Sequence, residues 1–242
     1  MKKGFQALCL IVFGIGALSL SLAWGKKQND IEPSRPFVVV YYEAESTPDG
    51  HKTITSWRTR FVKANSEFKI VMHGSDEAAA FADSATGPSE TSSTVIVGMP
   101  EGVYVKPFGS TERKSVSPAP VNASEIPLDT TGPEKQDKQF HSHSFLRNHP
   151  EFVRMDKVAG FEVYVLKVVT PEYWVENCYS PLTGRIPLRS VLHQLNGTEY
   201  ITETAKIEFR DVPENLNDDI KALPNTGYIG DKSSPLKPSK SN

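Results

Sequence analysis

Cysteine is almost missing from this chain. Cys9 and Cys178 are the only two in 242 residues. With Cys9 inside the apolar leader, Cys178 has no internal partner, so stability must come from burial rather than from a disulfide framework. Strong charge of either sign is missing too. Twenty-seven basic residues face 29 acidic ones, and losing Lys2 and Lys3 with the leader would tip the balance further towards acid. That is neither a nucleic-acid footprint nor a polybasic membrane-surface one. After Trp24 no apolar run approaches membrane length, so no transmembrane segment is expected once the leader is removed. Nor does the chain carry Gly-x-Ser-x-Gly, His-Glu-x-x-His, a phosphate-cradling glycine loop or Cys-x-x-Cys. Without these there is no motif for triad, zinc-protease, nucleotide or dithiol chemistry. No internal repeat is visible.

The start of the chain carries a clear pattern. Met1-Lys2-Lys3 precedes an apolar run from Phe5 to Trp24, and Gly25-Lys26-Lys27 closes it. A basic start, an apolar middle and a small-residue exit form an export signal. Ser21/Ala23 and Ala23/Gly25 are the two pairs that suit cleavage, giving a signal over 1–25. The alternative is an uncleaved anchor, which the weakly apolar Gly14, Gly16, Ser19 and Ser21 disfavour. Leu8 stands before Cys9 where a lipidation signal needs a small residue. The protein is expected outside the cytoplasm, in the periplasm first of all.

Downstream, strands dominate. Residues 26–36 read as a polar lead-in. Phe37–Ser46 is a β-branched and aromatic run, and Thr47-Pro48-Asp49-Gly50 supplies turn chemistry. Trp57, Thr59 and Phe61 then alternate with Ser56, Arg58 and Arg60, the period of a half-wet strand. Phe68–Met72 follows as a third strand. Asp76–Ala82 suits a short helix with Ser75 as its cap. Thr94–Val97 and Val103–Val105 read as short strands. Pro107 to about Lys138 is rich in Pro, Ser, Thr and charge and reads as a long flexible insertion. Val158–Val169 reads as one strand, Glu172–Tyr179 as the next and Ile186–Leu195 as a third. Asn196-Gly197 is a strong hairpin signal, and Thr198–Arg210 returns. The tail, 213–242, has one helical candidate at Glu214–Ala222 and is otherwise expected to be largely disordered. The fold class expected is mostly β: a single curved antiparallel sheet, an incomplete barrel of about eight or nine strands over 37–212, with one or two short helices.

The segments Ala-Gly-Phe-Glu-Val-Tyr-Val-Leu from Ala159, Glu-Tyr-Trp-Val-Glu from Glu172, and Ser-Pro-Leu-Thr-Gly-Arg-Ile-Pro-Leu-Arg from Ser180, with the hairpin at Asn196, make a pattern over 158–210. It resembles exported bacterial proteins of the lipoprotein-localisation-factor type. The resemblance implies a half-open barrel whose concave face holds lipid or other apolar groups. It speaks to strands and turns and brings no catalytic residues.

Candidate sites follow. Trp57, Phe61, Val163, Val165, Ile201 and Ile207 are the inward-facing positions expected to line an apolar site, with 107–138 as its lid. His141, His143 and His149 could ligate a metal, since His141 and His143 share a face of an extended segment. A polar loop is the plainer reading. Arg58, Arg60, Arg185 and Arg189 suit either solvated strand faces or a surface for an acidic ligand. Trp174 and Tyr41-Tyr42 read as sheet packing, and Cys178 as a half-buried strand residue. Leu223-Pro224-Asn225-Thr226-Gly227 matches the LPxTG sorting signal, but the polar end that follows lacks its apolar span. The sequons at Asn122 and Asn196 read as inert.

The expected function is therefore non-enzymatic, with no cofactor and no nucleic-acid partner: binding of a lipid, another apolar ligand or a lipidated protein. The alternatives are an envelope scaffold acting through its sheet edges and, behind it, a metal-dependent hydrolase using the three histidines. Oligomeric state is open.

Overall fold

In a computed structural model, residues 30–65, 67–88, 94–116 and 138–229 are described. The expected export signal at 1–25 and most of the expected insertion, 117–137, lie outside them, as do 230–242. Among the described residues the strands are β1 (Phe37–Ser46), β2 (Lys52–Val62), β3 (Phe68–Gly74), β4 (Thr94–Met99), β5 (Gly102–Lys106), β6 (Arg113–Val116), β7 (Phe152–Val158), β8 (Phe161–Val169), β9 (Tyr173–Tyr179), β10 (Arg189–Gln194), β11 (Glu199–Glu208) and β12 (Asn225–Ile229). Helices are α1 (Glu77–Thr86), α2 (His143–Arg147) and α3 (Asp218–Lys221).

All these strands join one 12-stranded curved sheet, in the order β12-β6-β5-β4-β3-β2-β1-β11-β10-β9-β8-β7. It stays open, with β7 and β12 as its edges. Two meanders, β1–β6 and β7–β11, meet where β1 pairs with β11. Meanders arise because each tight hairpin returns the chain beside itself, which only antiparallel neighbours allow. The edge strand β12 departs from this: it runs parallel to β6, reached by the segment after β11.

Several boundaries differ from the sequence reading, each for a local reason. Val158–Val169 is not one strand. Ala159 (φ 49°) and Gly160 (φ 85°) form a two-residue turn, so the chain folds back and β7 becomes a separate edge strand. Asp76 rather than Ser75 caps α1: its carboxylate accepts from the Ala79 N–H at 2.9 Å. The helix runs on to Thr86. Residues 186–188 do not extend β10, which starts at Arg189; they continue the turn expected at Ser180–Gly184 and return the Leu188 N–H to the Cys178 carbonyl at 2.8 Å. Within the expected insertion, Arg113–Val116 is β6. Within the expected tail, Leu216 and Ile220 are buried and 225–229 is β12. That tail segment is ordered because its apolar residues close over the sheet.

The lead-in is anchored as well. The carboxylate of Asp30 accepts from the hydroxyls of Ser142 and Ser144, and these bonds hold its carboxyl below the ordinary range. Ile31 forms a bridge with Ser142. Behind α2, Phe140, Leu146, Tyr164, Leu166 and Tyr179 make an aromatic-rich core, with Phe140 and Tyr179 rings 4.8 Å apart.

Candidate functional site

Alternation along β1–β4 divides the sheet into two faces. One face presents Val38, Val40 and Tyr42 from β1, and Trp57, Thr59 and Phe61 from β2. Lys69, Val71 and His73 from β3 and Val95, Val97 and Met99 from β4 continue it. This face is covered. Over its middle, α1 packs Ala80 and Phe81 on Val40, Trp57 and Tyr42. Leu216 and Val212 pack on Val38, Phe61 and Val71. Ile220 and Leu223 pack on Val95, Val97, Met99 and Tyr104. The cover thus consists of α1 and the segment 212–223.

The sheet side of this contact is rich in large apolar groups, and 212–223 answers with Val212, Leu216, Ile220 and Leu223, while α1 offers less. The buried residues of α1 are Ala80, Asp83 and Ser84, which remove little apolar area from water. Directed polar bonds fasten the cover as well. Thr59, fully buried, donates to the Ala80 carbonyl at 2.8 Å. Its single proton is thereby committed, so the 3.1 Å contact with His73 Nε2 requires His73 to donate. Burial pulls the His73 imidazole below its ordinary value, against the opposing pull of Asp83 and Asp76. Asp83 Oδ2 is 3.7 Å from His73 Nε2 and has no hydrogen-bond partner. Arg210 donates to the Ser84 carbonyl at 2.6 Å. At the other end Lys69, 1% exposed, donates to both carboxylate oxygens of Asp219 (3.0 and 2.9 Å) and to the Leu216 carbonyl (3.2 Å). Lys63 donates to the Glu214 carbonyl at 2.6 Å.

The six residues expected to line an apolar site do not fall in one place. Trp57 and Phe61 lie on the covered face. Ile201 packs with Ala44 and Val191 and reaches the Trp57 cluster through Tyr42, which touches both. Val163 and Val165 belong to a separate cluster with Val158, Cys178 and Leu188. Ile207 packs against that cluster and against Phe37, Val39 and Val62. The sequence reading did not name Val38, Val40, Val71, Val95 and Val97 as lining, although their alternation carried the signal. It also missed the cover, in which Leu216 and Ile220 are buried.

The three histidines diverge. His141 Nδ1 sits 2.6 Å from the Pro181 carbonyl. His143 meets the Tyr164 hydroxyl at 2.9 Å and Glu32 at 3.5 Å. His149 pairs with Glu151 at 2.5 Å. Among the described residues no group of three or more His, Cys, Asp or Glu stands close enough to hold a metal. Cys178 is buried, and burial pushes its thiol up to about 11, away from nucleophile behaviour. Leu223-Pro224-Asn225-Thr226-Gly227 runs from the cover into β12, where Asn225 pairs with Arg113. At the opposite edge, the Asp156 carboxylate accepts from the N–H of Lys157 at 2.8 Å, which occupies a backbone donor of β7 and blunts that edge. No helix among the described residues is long and apolar enough to cross a membrane.

No family model matches the chain, and no curated protein matches it. Solved structures do. A LolA superfamily protein from Nitrosomonas europaea is 13% identical over 77% of this chain and 91% of its own, with a TM-score of 0.35. PNGF-II is 10% identical over 81% of this chain, with a TM-score of 0.40, and the match spans only 32% of PNGF-II. An outer membrane lipoprotein-sorting protein domain from Vibrio parahaemolyticus is 9% identical over 83% of this chain and 97% of its own, with a TM-score of 0.23. Likenesses at these identities and scores concern the general arrangement of strands, not ligand or activity.

Proposed function

We propose that the protein is an exported, non-enzymatic binder that shelters an apolar group, a lipid or the acyl chain of a lipidated partner, between the β1–β4 face and its cover. The observation that carries this reading is the mismatch across that contact. Beneath α1 the sheet offers Val40, Tyr42 and Trp57, whereas α1 answers with Ala80 and the half-buried Phe81 and otherwise buries aspartate and serine. Burying a Phe or Val side chain is worth about 1.5–3 kcal/mol, far more than an alanine methyl contributes. An acyl chain therefore competes well with α1 for that face. The polar bonds at Thr59, Lys69 and Arg210 specify the closed position without making it strongly adhesive. The reading of export and of a periplasmic site rests on Met1 to Gly25. The mechanism is removal of apolar surface from water, with no bond made or broken.

The test is uptake of a fluorescent dodecyl-chain probe by the purified mature protein, alongside Phe81→Ala and Asp219→Ala, which loosen the cover at its two ends. We expect saturable uptake near one probe per chain, tightened in both variants. No uptake by the wild type or by either folded variant would overturn the proposal.

A further inference from the structure

The opposite face of β2 carries Arg58 and Arg60, and Arg60 is in an unusual position. Its cross-strand partners are Val39 on β1 and Ile70 on β3. Its guanidinium lies over the Phe68 ring, 4.4 Å from the centroid. Around it, Phe37, Val39 and Val62 form a buried cluster, with Tyr41, Phe68, Ile186, Ile207 and Phe209 packed against it. No carboxylate or carbonyl among the described residues accepts from Arg60, and its Nε is buried without a partner. The neighbouring Arg58 differs: it pairs with Glu43 at 2.5 Å. Glu43 is thus committed, and the patch retains one unmatched positive charge. Burial draws the Arg60 guanidinium below its ordinary value, with only the Tyr41 phenol pulling the other way. The same two arginines pull on Tyr41, whose phenol burial pushes up.

A cation held in apolar surroundings costs free energy until an anion meets it. Arg60 retains partial exposure to solvent, so a ligand can reach its outer edge. Its fork of donors matches the two oxygens of a carboxylate or phosphate. We propose that Arg60 anchors the anionic headgroup of an amphiphile, a carboxylate or phosphate carried on an apolar chain that lies along the Phe37–Phe68–Phe209 side of the sheet. Arg60 supplies the charge and the Tyr41 hydroxyl a second donor. Because Phe61 and Arg60 point to opposite faces, the site is separate from the covered one and does not depend on the function proposed above.

The experiment is isothermal titration of the wild type with sodium dodecanoate, dodecyl phosphate, dodecyl glucoside, sodium acetate and inorganic phosphate. These are repeated with Arg60→Met, which keeps the length and apolar body of the side chain. We expect the two charged dodecyl compounds to bind at least about tenfold more tightly than the glucoside, the range of one charge-assisted hydrogen-bonded contact, and Arg60→Met to erase that preference. Equal affinity for charged and uncharged dodecyl chains in the wild type would overturn the anion anchor, whatever happens to the variant. Acetate or phosphate binding as tightly as the dodecyl compounds would overturn the amphiphile and leave a free-anion site. Tighter probe uptake in Phe81→Ala and Asp219→Ala with an unchanged Arg60 preference would separate the two faces.

Discussion

Breaking the Lys69–Asp219 pair should cost different amounts from its two ends. The pair is asymmetric: the lysine side chain is 1% exposed and the aspartate 25% exposed. Asp219→Ala leaves an ammonium enclosed between sheet and cover with only the Leu216 carbonyl for company. Removing one partner of a buried pair costs about 3–5 kcal/mol. Lys69→Met instead fills the same space with hydrocarbon. Asp219 can then rehydrate, and the main loss is one orphaned carbonyl, about 1–2 kcal/mol. The double variant Lys69→Met/Asp219→Ala removes the stranded charge and should be more stable than Asp219→Ala alone. Urea unfolding followed by tryptophan fluorescence measures all three. Each kcal/mol corresponds to about 2–4 °C in Tm for a domain of this size, so Asp219→Ala should melt several degrees below Lys69→Met. If Lys69→Met proved the more damaging of the two, or the double variant fell below Asp219→Ala, the electrostatic account of the cover would be refuted.

Three further outcomes are expected. A Cβ at Gly98 would lie 2.2 Å from Phe68 Cε1; Gly98→Ala should cost about 1–3 kcal/mol through overpacking, and Phe68→Leu in the same chain should recover part of it, as read by denaturant midpoints. His73 is held below its ordinary value by burial, so the unfolded chain takes up its proton first as pH falls. The stability this neutral imidazole contributes is complete above about pH 6.5 and is lost as pH drops towards its folded value. His73→Gln should flatten the stability profile just below about pH 6.5; a slope unchanged by the substitution would refute this reading. Cys178, with its thiol pushed up to about 11, should resist iodoacetamide in the folded protein at pH 8 and become reactive along the unfolding transition, so fast alkylation of the native state would contradict its burial.

The alternation in β1 and β2, the turn at Thr47–Gly50, the Asn196-Gly197 hairpin and the return at Thr198 were all readable along the chain. Hairpins and period 2 are local properties, so residues determine them before any long-range contact forms. The same locality explains why the two faces of β2 could be told apart, with Trp57 and Phe61 against Arg58 and Arg60. The break at Ala159-Gly160 was a turn signal hidden in an apolar run, and β7 was lost with it.

Some things had no local signature. Leu216 and Ile220 look like two apolar residues in a polar tail until Phe61, Val71 and Val97 are brought beneath them from more than a hundred residues away in the sequence. Nothing near Lys69 in the sequence announces its partner Asp219, 150 residues away. Arg60 reads as one of four surface arginines until Phe68 slides beneath it and Glu43 is claimed by Arg58. The sequence by itself determined the hairpins around β1–β2 and β10–β11 and the alternating faces of β1 and β2, because those depend on backbone geometry and near neighbours. Which face is covered, which charge is matched and which is left without a counter-ion were decided only by the tertiary structure, because burial and pairing depend on segments the chain places far apart.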